Sequence, residues 1–183
     1  MSLMPYCVKP RGLTLAALLA ALGIALSLVE SFLPVFLPVP GAKLGLANIV
    51  LLLCLYLLPV RLTAAVFFIR LLLTALLTGT IFSSTFFIAL AGGSAGLATM
   101  LLVRNLPGVS LYGVSLAGAA AHNSGQLLAA CWFISNPALL YYLPLLLICS
   151  LPAGYLTAAA ADRALRLLAG GALNEDVSDK KGF

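Results

Sequence analysis

Residues 62–77 read LTAAVFFIRLLLTALL, and this stretch decides the fold. It is apolar except for two threonines and Arg70, in a chain where only 8% of residues are charged. A guanidinium keeps its proton, so an arginine in the middle of such a segment needs an acidic partner, water or a ligand. Arg70 therefore indicates a functional site inside a bundle of membrane helices.

The composition of the whole chain agrees with a membrane protein. Hydrophobic residues make up 63% of the 183 residues and the mean hydropathy is +1.15, whereas soluble domains are about 45–50% apolar. Several apolar stretches reach the roughly 20 residues that a helix needs to cross a bilayer. We expect an all-α, polytopic fold with one transmembrane domain, residues 1–170, and a short polar cytoplasmic tail, residues 171–183.

Proline, glycine and charged residues divide the chain into six predicted membrane spans. Their expected limits are 13–33, 44–58, 62–80, 81–103, 109–134 and 138–168. The last is too long for a simple crossing, and we expect Pro144 and Pro152 to kink it. The first follows Lys9 and Arg11 as a signal peptide would, but its length of about 21 residues favours a retained helix.

The basic residues predict the orientation, because cytoplasmic loops are enriched in lysine and arginine. With the N-terminus inside, the cytoplasmic side would receive Lys9, Arg11, Arg61, Arg104, Arg163, Arg166, Lys180 and Lys181. Only Lys43 would lie outside, so both termini are predicted to be cytoplasmic. The bases are scattered at span ends and form no patch, which argues against a nucleic-acid partner.

The connector after the first span, residues 34–43, combines three prolines and a glycine with apolar residues. Irregular backbone is costly where it meets lipid. The segment is therefore either a structured cap over the outer mouth of the bundle or a loop in the membrane interface.

Polar side chains in the predicted spans indicate a pocket that opens outward. At 1.5 Å per residue, Arg70 and His122 fall near mid-membrane, while Gln126 lies one turn outward from His122. The full set of candidate ligand-binding residues is Arg70, His122, Asn123, Gln126, Asn48, Lys43 and Glu30.

Structural alternatives remain open for several of these residues. Arg70 could pair with Glu30, although a depth gap of roughly 10 Å would strain direct contact. Glu30 could instead be solvated at the interface, Asn48 could bond a neighbouring helix, and His122 could be a structural histidine.

A ladder of small residues in the first span, Ala17, Ala21 and Ala25, would let another helix approach closely. It fits either internal packing or an interface with a partner membrane protein. The small residues at positions 92–96 and 113–121 are instead expected to pack against other helices of the bundle.

Direct catalysis is not expected. The sequence contains no GxxxxGK[ST] or HExxH motif. Of its five acidic residues, three lie in the tail, so no carboxylate cluster could hold magnesium for diphosphate chemistry. The four cysteines have no CxxC spacing, and we expect no disulfide, metal site or cofactor.

Specific stretches resemble the bacterial heptaprenyl diphosphate synthase component I family, also labelled Gx transporter. They are PGAKLGLAN at 40–48 and AHNSGQ at 121–126, together with residues 30–34, Arg70, Gly79 and residues 143–144. The aspartate-rich motifs of prenyl synthases are absent, so the name would denote at most an accessory subunit.

That family is similar to the substrate-binding S components of energy-coupling-factor (ECF) transporters. The resemblance implies six helices in the bacterial cytoplasmic membrane, both termini inside, and a small ligand captured under the first loop. It also implies that Ala17, Ala21 and Ala25 meet a transmembrane coupling subunit linked to two ATPases, and that transport involves toppling of the S component.

The sequence is therefore compatible with three functions. The leading one is the S component of an ECF-type uptake transporter, a non-enzyme whose pocket takes a small molecule. The second is a non-catalytic membrane accessory subunit for isoprenoid or quinone metabolism with an isoprenoid-like ligand, and the third is a secondary transporter with His122 as proton relay.

Overall fold

A computed structural model describes residues 10–32 and 46–179, and the described residues are helical with no β-strand. The helices are α1 (Pro10–Phe32), α2 (Leu46–Leu57), α3 (Val60–Leu77), α4 (Ser84–Arg104), α5 (Leu111–Ile134) and α6 (Leu143–Asp179). A 3-10 helix, Pro137–Tyr142, precedes α6. These helices follow the predicted segments closely. The connector at residues 34–43 lies outside the described residues.

Four of the described segments are long and apolar enough to cross a membrane: Gly12–Ser31, Val60–Leu77, Ser84–Arg104 and Pro137–Leu168. The chain is therefore an all-helical, multi-pass membrane protein. Helix α5 has 24 residues, but its histidine, asparagine and glutamine lower its hydropathy, and α2 is a shorter apolar helix. That these two helices also span the membrane remains a prediction.

Helix α6 begins and ends later along the chain than the predicted span. Pro144 lies in its first turn, where proline is tolerated because the amide there has no helical partner. The helix type changes before Pro144, at the end of the 3-10 helix, and α6 then runs on past Pro152. Because α6 continues to Asp179, most of the predicted polar tail is helical. Its cytoplasmic location remains a prediction.

Helix α2 forms the centre of the bundle. Its residues Val50 to Leu55 are all buried, in contact with α1, α3 and α6. Twelve residues suffice for this helix because its neighbours, rather than lipid, surround it. The apolar core is thus continuous from α1 through α2 to α6.

Helices α4 and α5 form the most extensive helix pair, and glycine makes their close approach possible. A Cβ atom on Gly92 would overlap Cγ of Gln126 and lie 2.8 Å from the carbonyl oxygen of His122. A Cβ on Gly96 would lie 3.1 Å from the carbonyl oxygen of Gly118. The small residues of these two helices therefore serve packing within the bundle, as predicted.

The two ends of the bundle differ in character. A guanidinium nitrogen of Arg104, at the end of α4, donates to the carbonyl oxygen of Leu55 near the end of α2. This end, which also carries Arg61, is called the arginine end. The opposite end contains the α3–α4 connection, with Thr78 and Thr80, and is called the threonine end.

Candidate functional site

A cavity of about 230 Å³ lies among helices α1 to α5, in the half of the bundle toward the threonine end. Helices α3 and α4, on two of its sides, make little contact with each other. Three lining residues, Ser31, Thr78 and Thr85, are exposed, so the cavity reaches the surface at this end. The remaining lining residues are Ser27, Glu30, Ala47, Asn48, Arg70, Leu71, Thr74, Ala75, Thr80, Phe86, Ala89, Gly93, His122 and Gln126.

Arg70 lies in the wall of this cavity and is only 8% exposed. One guanidinium nitrogen donates a hydrogen bond to the carbonyl oxygen of Ala47, at 2.8 Å. The guanidinium carbon lies 6.0 Å from the centre of the Phe67 ring. Gly23 of α1 gives the side chain room, because a Cβ there would come within 2.8 Å of Arg70 Cδ. Two neighbouring helices, α1 and α2, together with Phe67 of its own helix, thus fix the position of the charge.

Glu30 lines the same cavity and is 6% exposed. It is therefore buried in the bundle and is not a solvated interface residue. Its carboxylate is close enough to Arg70 to interact with the guanidinium electrostatically. The cavity thus contains one cation and one anion among its described lining residues.

Three further candidates, Asn48, His122 and Gln126, also line this cavity. His122 and Gln126 lie one turn apart on α5, on the face that packs against the glycines of α4. Asn48 lies at the start of α2, next to the carbonyl that Arg70 binds. Five of the seven predicted ligand-binding residues are therefore brought together.

Asn123 is not among the residues that line this cavity. Asn123 lines a second, smaller pocket of about 20 Å³ between α2, α5 and α6, which Asn48 and His122 also border. Its side-chain amide donates to the carbonyl oxygen of Leu146 on α6, at 3.3 Å. Asn123 thus connects two helices behind His122. Lys43 lies outside the described residues.

Hydroxyl groups in the cavity wall were missed by the sequence reasoning. Thr74 and Thr78 follow Arg70 by four and eight residues, so all three share one face of α3. This spacing was the sequence signal from which the two hydroxyl groups could have been predicted. Thr78 donates to the carbonyl oxygen of Thr74, at 2.8 Å. By contrast, Oγ1 of Thr74 is buried and has no hydrogen-bond partner among the described residues.

The predicted partner interface lies on the outside of the bundle. Ala17, Ala21 and Ala25 are exposed on α1, whereas Ala16 and Ala20 are buried at 5% and 8% exposure. The three-alanine ladder is therefore not used for packing within the described bundle.

The chemistry available at the cavity is charge and hydrogen bonding. The described residues contain no group of three or more His, Cys, Asp or Glu side chains placed to hold a metal ion. The cavity instead offers a guanidinium, a carboxylate, an imidazole, amides and hydroxyls. Such groups recognise a small polar molecule by its shape and hydrogen-bonding pattern.

Fold and cavity together define a small multi-pass membrane protein with an internal cavity that several polar and charged side chains line. The chain belongs to the heptaprenyl diphosphate synthase component I family, whose model matches residues 19–164. The resemblance seen in the sequence is thereby confirmed. The family's name denotes one component of a synthase, which implies a partner subunit. The searches of curated proteins and of solved structures found no match.

Proposed function

We propose that this protein is the membrane substrate-binding component of an ECF-type uptake transporter and has no catalytic activity of its own. The observation that carries the proposal is the buried Arg70 in a polar cavity that reaches the surface at the threonine end. In this proposal both termini are cytoplasmic, the membrane is the bacterial cytoplasmic membrane, and the threonine end faces outward.

Each polar residue has a role in this proposal. Arg70 holds an anionic or carbonyl group of the ligand, and Asn48, His122 and Gln126 hydrogen-bond the remainder. Glu30 orients a ligand cation or Lys43, which assists from the connector. Asn123 keeps α5 against α6, so that His122 stays in the cavity wall.

The charge of the cavity favours this role over the binding of a prenyl diphosphate. A diphosphate carries several negative charges and is usually held by magnesium or several cations. Among the described lining residues Arg70 is the one cation, and Glu30 opposes it. A large anionic group would therefore be poorly compensated in this site.

The size of the cavity points the same way. Pockets that hold drug-sized ligands measure about 300–1,000 Å³, whereas this cavity measures about 230 Å³. A heptaprenyl chain is larger than such ligands and would not fit inside. A small polar nutrient matches the volume better.

The family name supports the second candidate, a non-catalytic accessory subunit for heptaprenyl diphosphate synthesis. In that role the protein would present an isoprenoid-like substrate to a catalytic partner. The lipid tail would then have to leave the cavity sideways, through the weakly packed seam between α3 and α4.

The two candidates differ in their partners, and the ladder of Ala17, Ala21 and Ala25 gives the test. We expect a transmembrane coupling subunit and its ATPases to co-purify with the protein from its native membranes. The variant Ala21→Trp should lose these partners, because a bulky ring prevents close helix approach. It should keep its bound ligand, since Ala21 lies outside the cavity.

Leu102→Trp is the matched control, since Leu102 is exposed on α4, a helix without extensive contact with α1. It should retain the partners. Co-purification of a prenyl synthase subunit without any coupling subunit would contradict the transporter and support the accessory role.

A further inference from the structure

We infer that Arg70 and Thr74 form a two-residue clamp for a carboxylate, and that the ligand is a small monocarboxylic acid. This inference rests on the proposed function, since it assumes that the cavity holds a small ligand. It adds the chemical class of that ligand and a binding residue, Thr74.

The first step is the hydroxyl of Thr74. Serine and threonine in helices commonly donate to the carbonyl four residues earlier. Ser27, Ser124 and Thr78 do so here, at 2.8–2.9 Å. Thr74 does not, and its Oγ1 is buried without a hydrogen-bond partner among the described residues. An unpaired buried hydroxyl destabilises the folded protein. Oγ1 itself is covered, but Thr74 lines the cavity, so rotation about χ1 to another staggered rotamer would turn the hydroxyl toward an acceptor on a ligand and remove that cost.

The second step is the position of Thr74 next to Arg70. The two residues are one helical turn apart on the same face of α3, and both line the cavity. Arg70 has five N–H donors and makes one hydrogen bond, to Ala47, within the described part of the chain. Guanidinium groups bind carboxylates through two parallel hydrogen bonds. The hydroxyl of Thr74 would donate a third to the same group.

The third step is the charge and size of the ligand. Arg70 can compensate one negative charge, and Glu30 disfavours more. An apolar cavity of about 150 Å³ holds a benzene molecule. In proportion, a cavity of about 230 Å³ accommodates roughly nine heavy atoms. A monocarboxylate of that size, such as an aromatic or hydroxy acid, meets both conditions.

The test uses three acids, each with its primary amide of equal size: lactate, benzoate and nicotinate. Binding to the detergent-solubilised full chain is measured by ligand-observed NMR and by thermal shift. We expect at least one acid to bind, and its amide to bind at least about tenfold more weakly because it lacks the charge.

The variant Thr74→Val keeps the shape of the side chain and removes the hydroxyl. It should weaken binding of that acid about five- to tenfold, while its melting temperature without ligand stays equal to or above that of the wild type. Thr99→Val is the control, because Thr99 is a partly buried threonine of α4 that does not line the cavity. It should bind the acid as the wild type does.

Several results would overturn the inference: no acid binding at 10 mM, equal binding of acid and amide, or a Thr74→Val variant that is less stable yet binds normally. Isopentenyl diphosphate is tested as a further ligand, so that failure of this inference can be distinguished from failure of the proposed function. If amides bind and Arg70→Gln abolishes their binding, the receptor remains and only the carboxylate class is wrong. If the diphosphate alone binds, the uptake function fails as well.

Discussion

Arg70 is held by contacts from two neighbouring helices rather than by a single ion pair. Its hydrogen bond goes to a carbonyl of α2, its aliphatic chain passes Gly23 of α1, and the carboxylate of Glu30 acts on it electrostatically. An arginine bonded to one backbone carbonyl keeps most of its donors. This environment suits a binding residue that receives a partner from outside the chain.

The contact with Gly23 leads to a prediction at the same scale. Gly23→Ala places a methyl group within 2.8 Å of Arg70 Cδ, so the guanidinium must move. We expect the ligand affinity to fall about tenfold or more, because displacement of a binding group by about 1 Å has effects of that order. The affinity is measured by titration of whichever ligand co-purifies with the wild type.

Val29→Ala is the control, since Val29 is exposed on the same helix. It should bind normally. Unchanged affinity in Gly23→Ala would show that Arg70 adjusts without loss, and would argue against a fixed guanidinium.

Some properties of single residues can be predicted from the sequence, and others cannot. Depth along a helix follows from counting, so the sequence predicts Arg70 and His122 at one level and Gln126 one turn outward, and all three line the same cavity. The neighbouring helix that a side chain faces does not follow from counting, because it depends on how the helices pack against each other. Asn123, one residue from His122, therefore lies in a different pocket. Thr74 was missed because threonine is common in helices and its missing partner is visible only in three dimensions.

Helices α4 and α5 act as one packed unit. Glycine in α4 removes the side chains that would separate them, and this brings the face with His122 and Gln126 into the cavity wall. The polar residues of α5 thus reach the cavity wall because the glycines of α4 let the two helices pack closely.

Gly92→Ala tests this packing. The new methyl group would overlap Gln126 and the His122 carbonyl, and overpacking typically costs about 1–3 kcal/mol. We expect a lower melting temperature together with weaker ligand binding. Ser94→Ala, an exposed position of the same helix, should change neither. A Gly92→Ala variant as stable as the wild type would show that the two helices can separate freely.

The helices themselves were largely predictable from the sequence. Hydrophobic runs and proline boundaries placed them within a few residues, because chain in lipid must satisfy its own backbone hydrogen bonds. Three ends were less accurate: α6 continues to Asp179, α3 stops at Leu77 and α4 starts at Ser84. The turn between α3 and α4, with Gly79 at a φ of 68°, was assigned to the spans because its residues are mostly apolar or small.

For the whole molecule, the cavity and the exposed ladder of α1 lie on separate surfaces. A protein that binds a ligand inside and a partner outside needs this separation. The distribution of arginines at one end and of the cavity mouth at the other also agrees with a receptor that is loaded from outside the cell.

The most direct test is native mass spectrometry of the full chain, gently purified from its own membranes. We predict that the wild type carries one small molecule, and that Arg70→Gln, or Arg70→Lys if the first variant does not fold, loses it. Arg163→Gln, exposed and distant from the cavity, should retain it. A wild type that carries no small molecule, or that carries a prenyl diphosphate, would contradict a receptor for a small polar ligand.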